Sequence, residues 1–427
     1  MDKKGPATRA PLPLPGWQAL TPVAAAREVH ARISALPDPL RHAALACLRS
    51  ERDLAEELAV SSPSAPLRGV PYLVKDLFDV AGLPTTAGSA FLAKVRPTPD
   101  QSSALVRRLH ELGTALVGKT QLVEFAAGLT GENRTYGDCP HPHFADRLSG
   151  GSSSGSAALV GAGVVPLAIG TDTGGSVRVP AAFCGVYGLR LTPAHEWIRD
   201  AFPLSPTCDT PGWFTANAAD MLSVTRALIG ATESETAPRG CYLDVADLGH
   251  EFDRDLAHAV TAGAARLAPP ADTATKASLL AAWSTAIDTY TTVVMHEANA
   301  IHRNWLAPYH ENYDPVIWQR FTDGGHYPAE QLVRAQENSR LIRETWRQFF
   351  ARYDFLVMPC APFPALRKAE CTPEARRAIL RLTAPASLGG LPVLTIPVPL
   401  PSGLTGGLQI IAKDAASPVF PWALRPS

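Results

Sequence analysis

Residues 147–193 constrain this chain more than any other stretch. Two Gly/Ser clusters, Gly150-Gly151-Ser152-Ser153-Ser154-Gly155-Ser156 and Gly174-Gly175-Ser176, flank an apolar run over residues 164–169. The run is too short for a membrane helix and contains Pro166, so it predicts a buried strand. Glycines on either side permit backbone conformations that other residues resist. Beyond the second cluster, Pro180 stands near the start of the apolar segment Ala181-Ala182-Phe183-Cys184, which suits a helix whose first turn tolerates proline. Ser176 therefore falls where a strand gives way to a helix N-terminus. Free backbone N–H groups gather at such a place and stabilise a developing negative charge.

Ser152 follows Gly150 and Gly151, and Ser156-Ala157-Ala158-Leu159-Val160 reads as the opening of a second helix. The two serines lie 24 residues apart, enough for a helix and a strand to return both hydroxyls to one face of a sheet. Neither is a strong base. The missing base lies upstream, where Lys75 interrupts Pro71-Tyr72-Leu73-Val74 and Leu77-Phe78, a run otherwise apolar enough for a core strand. Lysine is seldom buried without a reason. Desolvation moves such a group down by up to ~3–5 units, so a neutral amine can accept the proton of Ser152 while Ser152 accepts that of Ser176. Taken singly, a strand-end lysine snorkels to solvent and a Gly/Ser cluster is a flexible turn. Their conjunction points to a catalytic triad.

On these residues the chain resembles the amidase signature enzymes, which use a Ser-cisSer-Lys triad. The resemblance rests on residues 150–193, on Val74-Lys75-Asp76 with Gly82-Leu83-Pro84-Thr85-Thr86 behind it, and on two weaker blocks near the C-terminus. Position by position it implies Ser176 as nucleophile, Ser152 as the serine following a cis peptide, and Lys75 as general base. It also implies an oxyanion hole from the amides of Thr173, Gly174, Gly175 and Ser176, with Ser153, Asp172 and Arg178 in supporting roles. Asp172 and Arg178 are expected to brace the nucleophile loop. Glu124-Phe125 and Gly131-Glu132-Asn133 resemble positions that line the substrate cavity. Leu191 stands where proline is usual and Ser387 where asparagine is common, and neither belongs to the triad.

The activity so implied is hydrolysis of a linear carboxamide through a serine acyl-enzyme. No metal or organic cofactor is implied; the partners are a small-molecule amide and, as assembly, a homodimer. Two rivals share the fold. One is the amidase component of a multi-protein complex such as a glutamyl-tRNA amidotransferase, whose members typically carry glutamine where this chain has Val179. The other is a non-catalytic binding protein, disfavoured because all three triad positions are filled.

The rest of the chain fits one large α/β domain with a central mixed β-sheet flanked by helices on both faces, as in the amidase signature fold. Residues 1–16 are polar and proline-rich and are expected to be a disordered lead, with the amidase signature domain over 17–427 and its catalytic core at about 65–215. Residues 17–60 show helical spacing, residues 102–112 read as an amphipathic helix, and residues 114–118 as a strand, a helix between strands. Residues 230–350 read as a variable helical region shaping the pocket; 11 of the 31 aromatic residues fall between 280 and 350. Strand signals return within 354–411. His141 and His143 lie in a proline loop without a third metal ligand and read as surface residues.

At 46% hydrophobic and 19% charged residues the chain buries a large core, and a net charge of −1 gives no electrostatic case for nucleic acid or an anionic membrane. Seven scattered cysteines without a CxxC pair fit a reducing compartment. With no signal peptide legible at the N-terminus and no run of membrane-spanning length, the expected location is the cytoplasm.

Overall fold

The computed structural model describes residues 10–193, 195–233, 236–249 and 251–425. Ten strands form one mixed sheet: β1 (Leu45–Leu48), β2 (Pro71–Lys75), β3 (Ala115–Thr120), β4 (Leu167–Asp172), β5 (Tyr187–Arg190), β6 (Thr210–Thr215), β7 (Gly240–Tyr242), β8 (Phe355–Pro359), β9 (Val393–Pro399) and β10 (Thr405–Ala412). Their order is β1-β3-β2-β4-β6-β5-β9-β10-β8-β7, so strands from both ends of the chain share the sheet. β2 lies parallel to β3 and β4, while β6 runs antiparallel to β4.

Period-2 alternation explains why these strands read as nearly continuous apolar runs. Tyr72, Val74, Leu167, Ile169 and Trp213 belong to one buried apolar cluster; Leu73, Ala168 and Phe214 belong to a second. Register agrees, since Tyr72 pairs with Leu167, Leu73 with Ala168 and Val74 with Ile169. Both faces of the sheet are therefore covered. On the second face lie the helices Pro22–Ser34, Glu51–Ala59 and Ser154–Gly161. On the first lie longer helices, including Ala286–His302, Ala329–Phe350 and Pro373–Leu388.

Small residues set how closely the Ser154–Gly161 helix approaches the sheet. A Cβ at Gly155 would collide with the Ala44 carbonyl, and one at Gly170 would lie 2.7 Å from Ser153 Oγ. The Gly/Ser composition of the first cluster is thus a packing requirement as well as a turn signal.

Four readings of the sequence need correction. The expected disordered lead of residues 1–16 ends early: residues 1–9 lie outside the described residues, but Leu14–Gln18 is a helix with Leu14 and Trp17 buried, and Leu14 N–H donates to Asp220 Oδ1 at 3.0 Å. The all-helical reading of 17–60 missed β1, an edge strand too short for a period to show. The helical reading of 230–350 missed β7, a three-residue strand that precedes the helices Arg254–Leu267 and Thr273–Trp283. His141 is buried, not a surface residue; its Nε2 meets the Phe183 carbonyl at 2.9 Å, whereas His143 is exposed.

Leu189 is fully buried in β5, opposite Trp213 of β6 and Leu394 of β9. Leu189→Ala is expected to cost about 2–5 kcal/mol by urea denaturation, because three packed strands cannot collapse into the cavity.

Candidate active site

Ligand sites in open α/β sheets form at the carboxyl ends of parallel strands. β2 ends at Lys75 and β4 at Asp172, and antiparallel β6 begins beside them, with Thr210 opposite Asp172. Lys75, Thr171, Asp172 and Asp209 are thereby brought to one end of the sheet. The glycine-rich loop that bears Ser176, residues 173–177, leaves that same end to enter the Arg178–Cys184 helix. Gly175 has φ +134°, a conformation that side-chain-bearing residues rarely adopt.

Lys75 is fully buried, and its Nζ donates to Ser152 Oγ at 2.8 Å and to Thr171 Oγ1 at 2.8 Å. Burial pushes the amine down to about 7, against the opposing charges of Asp209 and Asp172. The peptide bond between Gly151 and Ser152 is cis. Ser152 is gripped through its backbone, its carbonyl accepting from Val123 N–H at 3.1 Å and the preceding Gly151 N–H donating to Leu129 O at 2.8 Å. Ser153 links the two clusters: its N–H donates to Ser176 O at 3.3 Å and its Oγ to Thr171 O at 3.1 Å.

The structure thus joins Lys75 to Ser152 directly and holds Ser176 in the adjoining loop. Among the described residues Ser176 Oγ has no hydrogen-bond partner, so the Ser152–Ser176 link is not formed in this geometry. The four-amide oxyanion hole is corrected at one member. Gly175 N–H donates to Asp172 Oδ1 at 2.8 Å and is committed to the loop itself. The amides of Thr173, Gly174 and Ser176 have no acceptor among the described residues.

Asp172 is the loop's anchor. Its carboxylate also accepts from Val177 and Arg178 N–H, from Arg178 Nε and Nη2 and from Arg190 Nη1, all fully buried. Burial alone would raise this carboxyl, but the Arg178 and Arg190 guanidiniums hold it well below the usual carboxylate range. Sequence reasoning expected Asp172 and Arg178 here but gave no part to Arg190, Thr171 or Asp209. Ser387, noted only as a departure from the family, receives Arg178 Nη2 at 2.7 Å and Arg190 Nη1 at 3.1 Å. Asp209 accepts from Thr173 Oγ1 at 2.6 Å and from the Leu204 and Ser205 amides at 2.9 Å, and burial pushes it up to about 6.

A small recess opens beside Lys75, lined by Leu77, Ala126, Thr171, Phe202, Leu204 and Asp209. Two larger clefts lie elsewhere, and neither is lined by Lys75, Ser152 or Ser176. The small recess is likewise lined by none of the three, and reaches them through Thr171, which accepts from Lys75 Nζ. Of the residues expected to line the cavity, Phe125 packs against Phe202 of the recess wall, Glu124 Oε2 accepts from Asp314 N–H at 2.7 Å, Asn133 Nδ2 donates to the Gly88 and Leu122 carbonyls, and Gly131 packs against the Gly150 carbonyl. Among the described residues no three His, Cys, Asp or Glu side chains gather as a metal site would need. No described helix is long and apolar enough to cross a membrane.

Sheet, loop and sequence define an amidase signature hydrolase. A family profile described as Amidase matches residues 24–260 and 261–417, and the chain belongs to that family. Among its relatives, AtzE, the 1-carboxybiuret hydrolase subunit of Pseudomonas sp. (strain ADP), is 31% identical over 411 residues, covering 86% of this chain and 87% of that protein. A glutamyl-tRNA(Gln) amidotransferase subunit of Geobacillus kaustophilus (strain HTA426) is 31% identical over 415 residues, covering 85% and 83%. A crystal structure described as an amidase superposes with TM-score 0.83 at 30% identity, covering 95% of both chains.

Removing the Asp172 charge leaves Arg178 and Arg190 buried without their anion. Asp172→Asn is expected to lower stability by about 3–5 kcal/mol in urea denaturation, well beyond an ordinary surface substitution.

Proposed function

We propose that the chain hydrolyses a linear carboxamide to a carboxylic acid and ammonia or an amine, with Ser176 as nucleophile, Ser152 as proton relay and Lys75 as general base. The observation that carries this reading is the buried Lys75 amine at 2.8 Å from Ser152 Oγ, next to the glycine-rich loop that bears Ser176. A lysine held near neutrality accepts a proton at physiological pH, which an exposed lysine does not.

In this mechanism Ser176 Oγ bonds to the substrate's carbonyl carbon while its proton passes to Ser152 and the Ser152 proton passes to Lys75 Nζ. The carbonyl electron pair moves onto oxygen, which the Thr173, Gly174 and Ser176 amides receive. The C–N bond then breaks, and the leaving amine takes the proton back from Lys75 through Ser152. Water, deprotonated by the same relay, attacks the acyl carbon; the bond to Ser176 Oγ then breaks, and Ser176 recovers the proton from Lys75 through Ser152 as the acid leaves. Ser153, Asp172 and Arg178 touch no reacting atom and hold the loop in register.

A second reading is an amidase that works only as one component of a complex. One observation favours it: the relatives from Pseudomonas and Geobacillus are both named as subunits. Val179, where the amidotransferase branch typically has glutamine, supports the first reading.

The test is covalent labelling of the purified chain with a fluorophosphonate probe, with the adduct located by mass spectrometry and ammonia release from simple amides followed alongside. An adduct on Ser176 with ammonia release supports the autonomous amidase; an unlabelled chain contradicts it. Ser176→Ala is expected to abolish the adduct, and Lys75→Ala to slow labelling by about 10²–10⁴-fold.

The pH dependence has a definite sign. Only neutral Lys75 accepts the proton, so kcat/KM rises with pH, is half-maximal near pH 7, and falls about tenfold between pH 8 and pH 6. A flat profile over that range removes Lys75 from the base role.

A further inference from the structure

Residues 203–209 close over the site just before β6, and the last of them, Asp209, is a buried carboxylate that no cation pairs with among the described residues. Its Oδ1 accepts from Thr173 Oγ1 at 2.6 Å and its Oδ2 from the Leu204 and Ser205 amides at 2.9 Å. The next residue, Thr210, donates through Oγ1 to Asp172 O at 2.8 Å. That carbonyl and the Thr173 N–H belong to one planar peptide unit. Thr210 therefore holds its carbonyl end, and Asp209, through the Thr173 side chain, holds its amide end. On the outer side the same segment is tied to the helix Ala286–His302, where Glu297 accepts from Ser205 Oγ at 2.6 Å and from Thr207 Oγ1 at 2.7 Å.

The same carboxylate faces the base. Asp209 lines the recess together with Thr171, whose hydroxyl accepts from Lys75 Nζ at 2.8 Å. Two acids act on Lys75, Asp209 ahead of Asp172, and Asp172 is already neutralised by Arg178 and Arg190. From the helix Ala286–His302, Asp209 is faced by Glu297, which adds a like charge, and by Tyr290, whose phenol burial raises. Beside it, burial pushes the Cys208 thiol up to about 12. Burial brings Asp209 itself up to about 6, so it carries its charge at the pH where Lys75 loses its proton.

We propose that Asp209 is a positioning residue for both halves of the reaction: through the Thr173 hydroxyl it fixes the N–H that receives the oxyanion, and across the recess it places a negative charge before the relay that ends at Lys75. The proposal rests on the reading of Ser176 as nucleophile and Lys75 as base, and adds a residue that touches no reacting atom. An N–H fixed in advance costs no reorganisation when the oxyanion develops. A nearby negative charge favours the ammonium form, so Asp209 opposes the burial that frees the amine and tunes the pH at which the base appears.

The test uses two variants with opposite losses. Thr173→Val keeps the carboxylate and removes its link to the amide, whereas Asp209→Asn keeps the shape and a hydrogen bond to Thr173 Oγ1 but removes the charge. The second-order rate of fluorophosphonate labelling at Ser176 is followed against pH for both and for the wild type. Thr173→Val is expected to lower the plateau rate about tenfold or more with the half-maximal pH kept near 7, and Thr173→Ser to recover most of the rate. Asp209→Asn is expected to move the half-maximal pH down by about half a unit or more, because Lys75 loses its unpaired acid. A role confined to packing lowers the rate without moving that pH. A wild-type plateau in Thr173→Val, or an unmoved half-maximal pH in Asp209→Asn, overturns the proposal; if Asp209→Asn does not fold, the Thr173→Val plateau decides. An unlabelled wild-type chain overturns the reading of Ser176 and this proposal with it, whereas a labelled wild type beside either of those failures overturns the assignment to Asp209 alone.

Discussion

The Asp172 carboxylate is the interaction on which the rest of the site depends. Six N–H donors converge on it, three from the backbone of the loop and helix that follow and three from Arg178 and Arg190. Arg178 carries the connection onward through Nη1 to Thr383 O and Gln409 Oε1, so the end of β4 is tied to the Pro373–Leu388 helix and to β10. Chain segments more than two hundred residues apart in sequence therefore meet at one buried anion. The loop bearing Ser176 has its shape because this anion needs donors, and a buried carboxylate left without them would be costly.

Lys75 is governed by the opposite balance. Asp172 and Asp209 favour its charged form, but Asp172 is already neutralised by two guanidiniums and burial prevails, bringing the amine to about 7. The lysine on the neighbouring strand behaves differently: Lys119 is equally buried, forms an ion pair with Asp76 and donates to Pro84 O and Thr85 Oγ1. Two buried lysines at the same end of the sheet thus divide the work. One is ion-paired within the scaffold, and the other faces two hydroxyls, which leave it free to change protonation.

Much of this was legible in the sequence because it is local. Two glycine-serine clusters, a proline-tolerant helix start and a lysine in an apolar strand are local features, and they marked the strand that ends in Lys75 and the helix approaches that hold Ser152 and Ser176. What the sequence concealed is what pairing across the sheet creates. Arg190 acquires its part only when β5 lies beside β6, Ser387 only when its helix crosses Arg178, and Thr171 only when β4 lies beside β2. Gly175 shows the reverse, a residue whose place was right and whose amide proved to be engaged with Asp172. β1 and β7 are too short for alternation to register, and β7 is secured by its parallel pairing with β8, a partner more than a hundred residues away.

The central claim is that burial keeps Lys75 neutral at physiological pH, and the direct measurement is an NMR titration of the lysine Cε–Nζ groups in isotopically labelled protein, assigned with Lys75→Met. The account predicts one lysine signal with a midpoint near pH 7 that is missing from the variant, while exposed lysines titrate near their usual value of about 10.4. If the Lys75 signal also titrates above pH 9, the amine is charged under working conditions and cannot be the base of the relay.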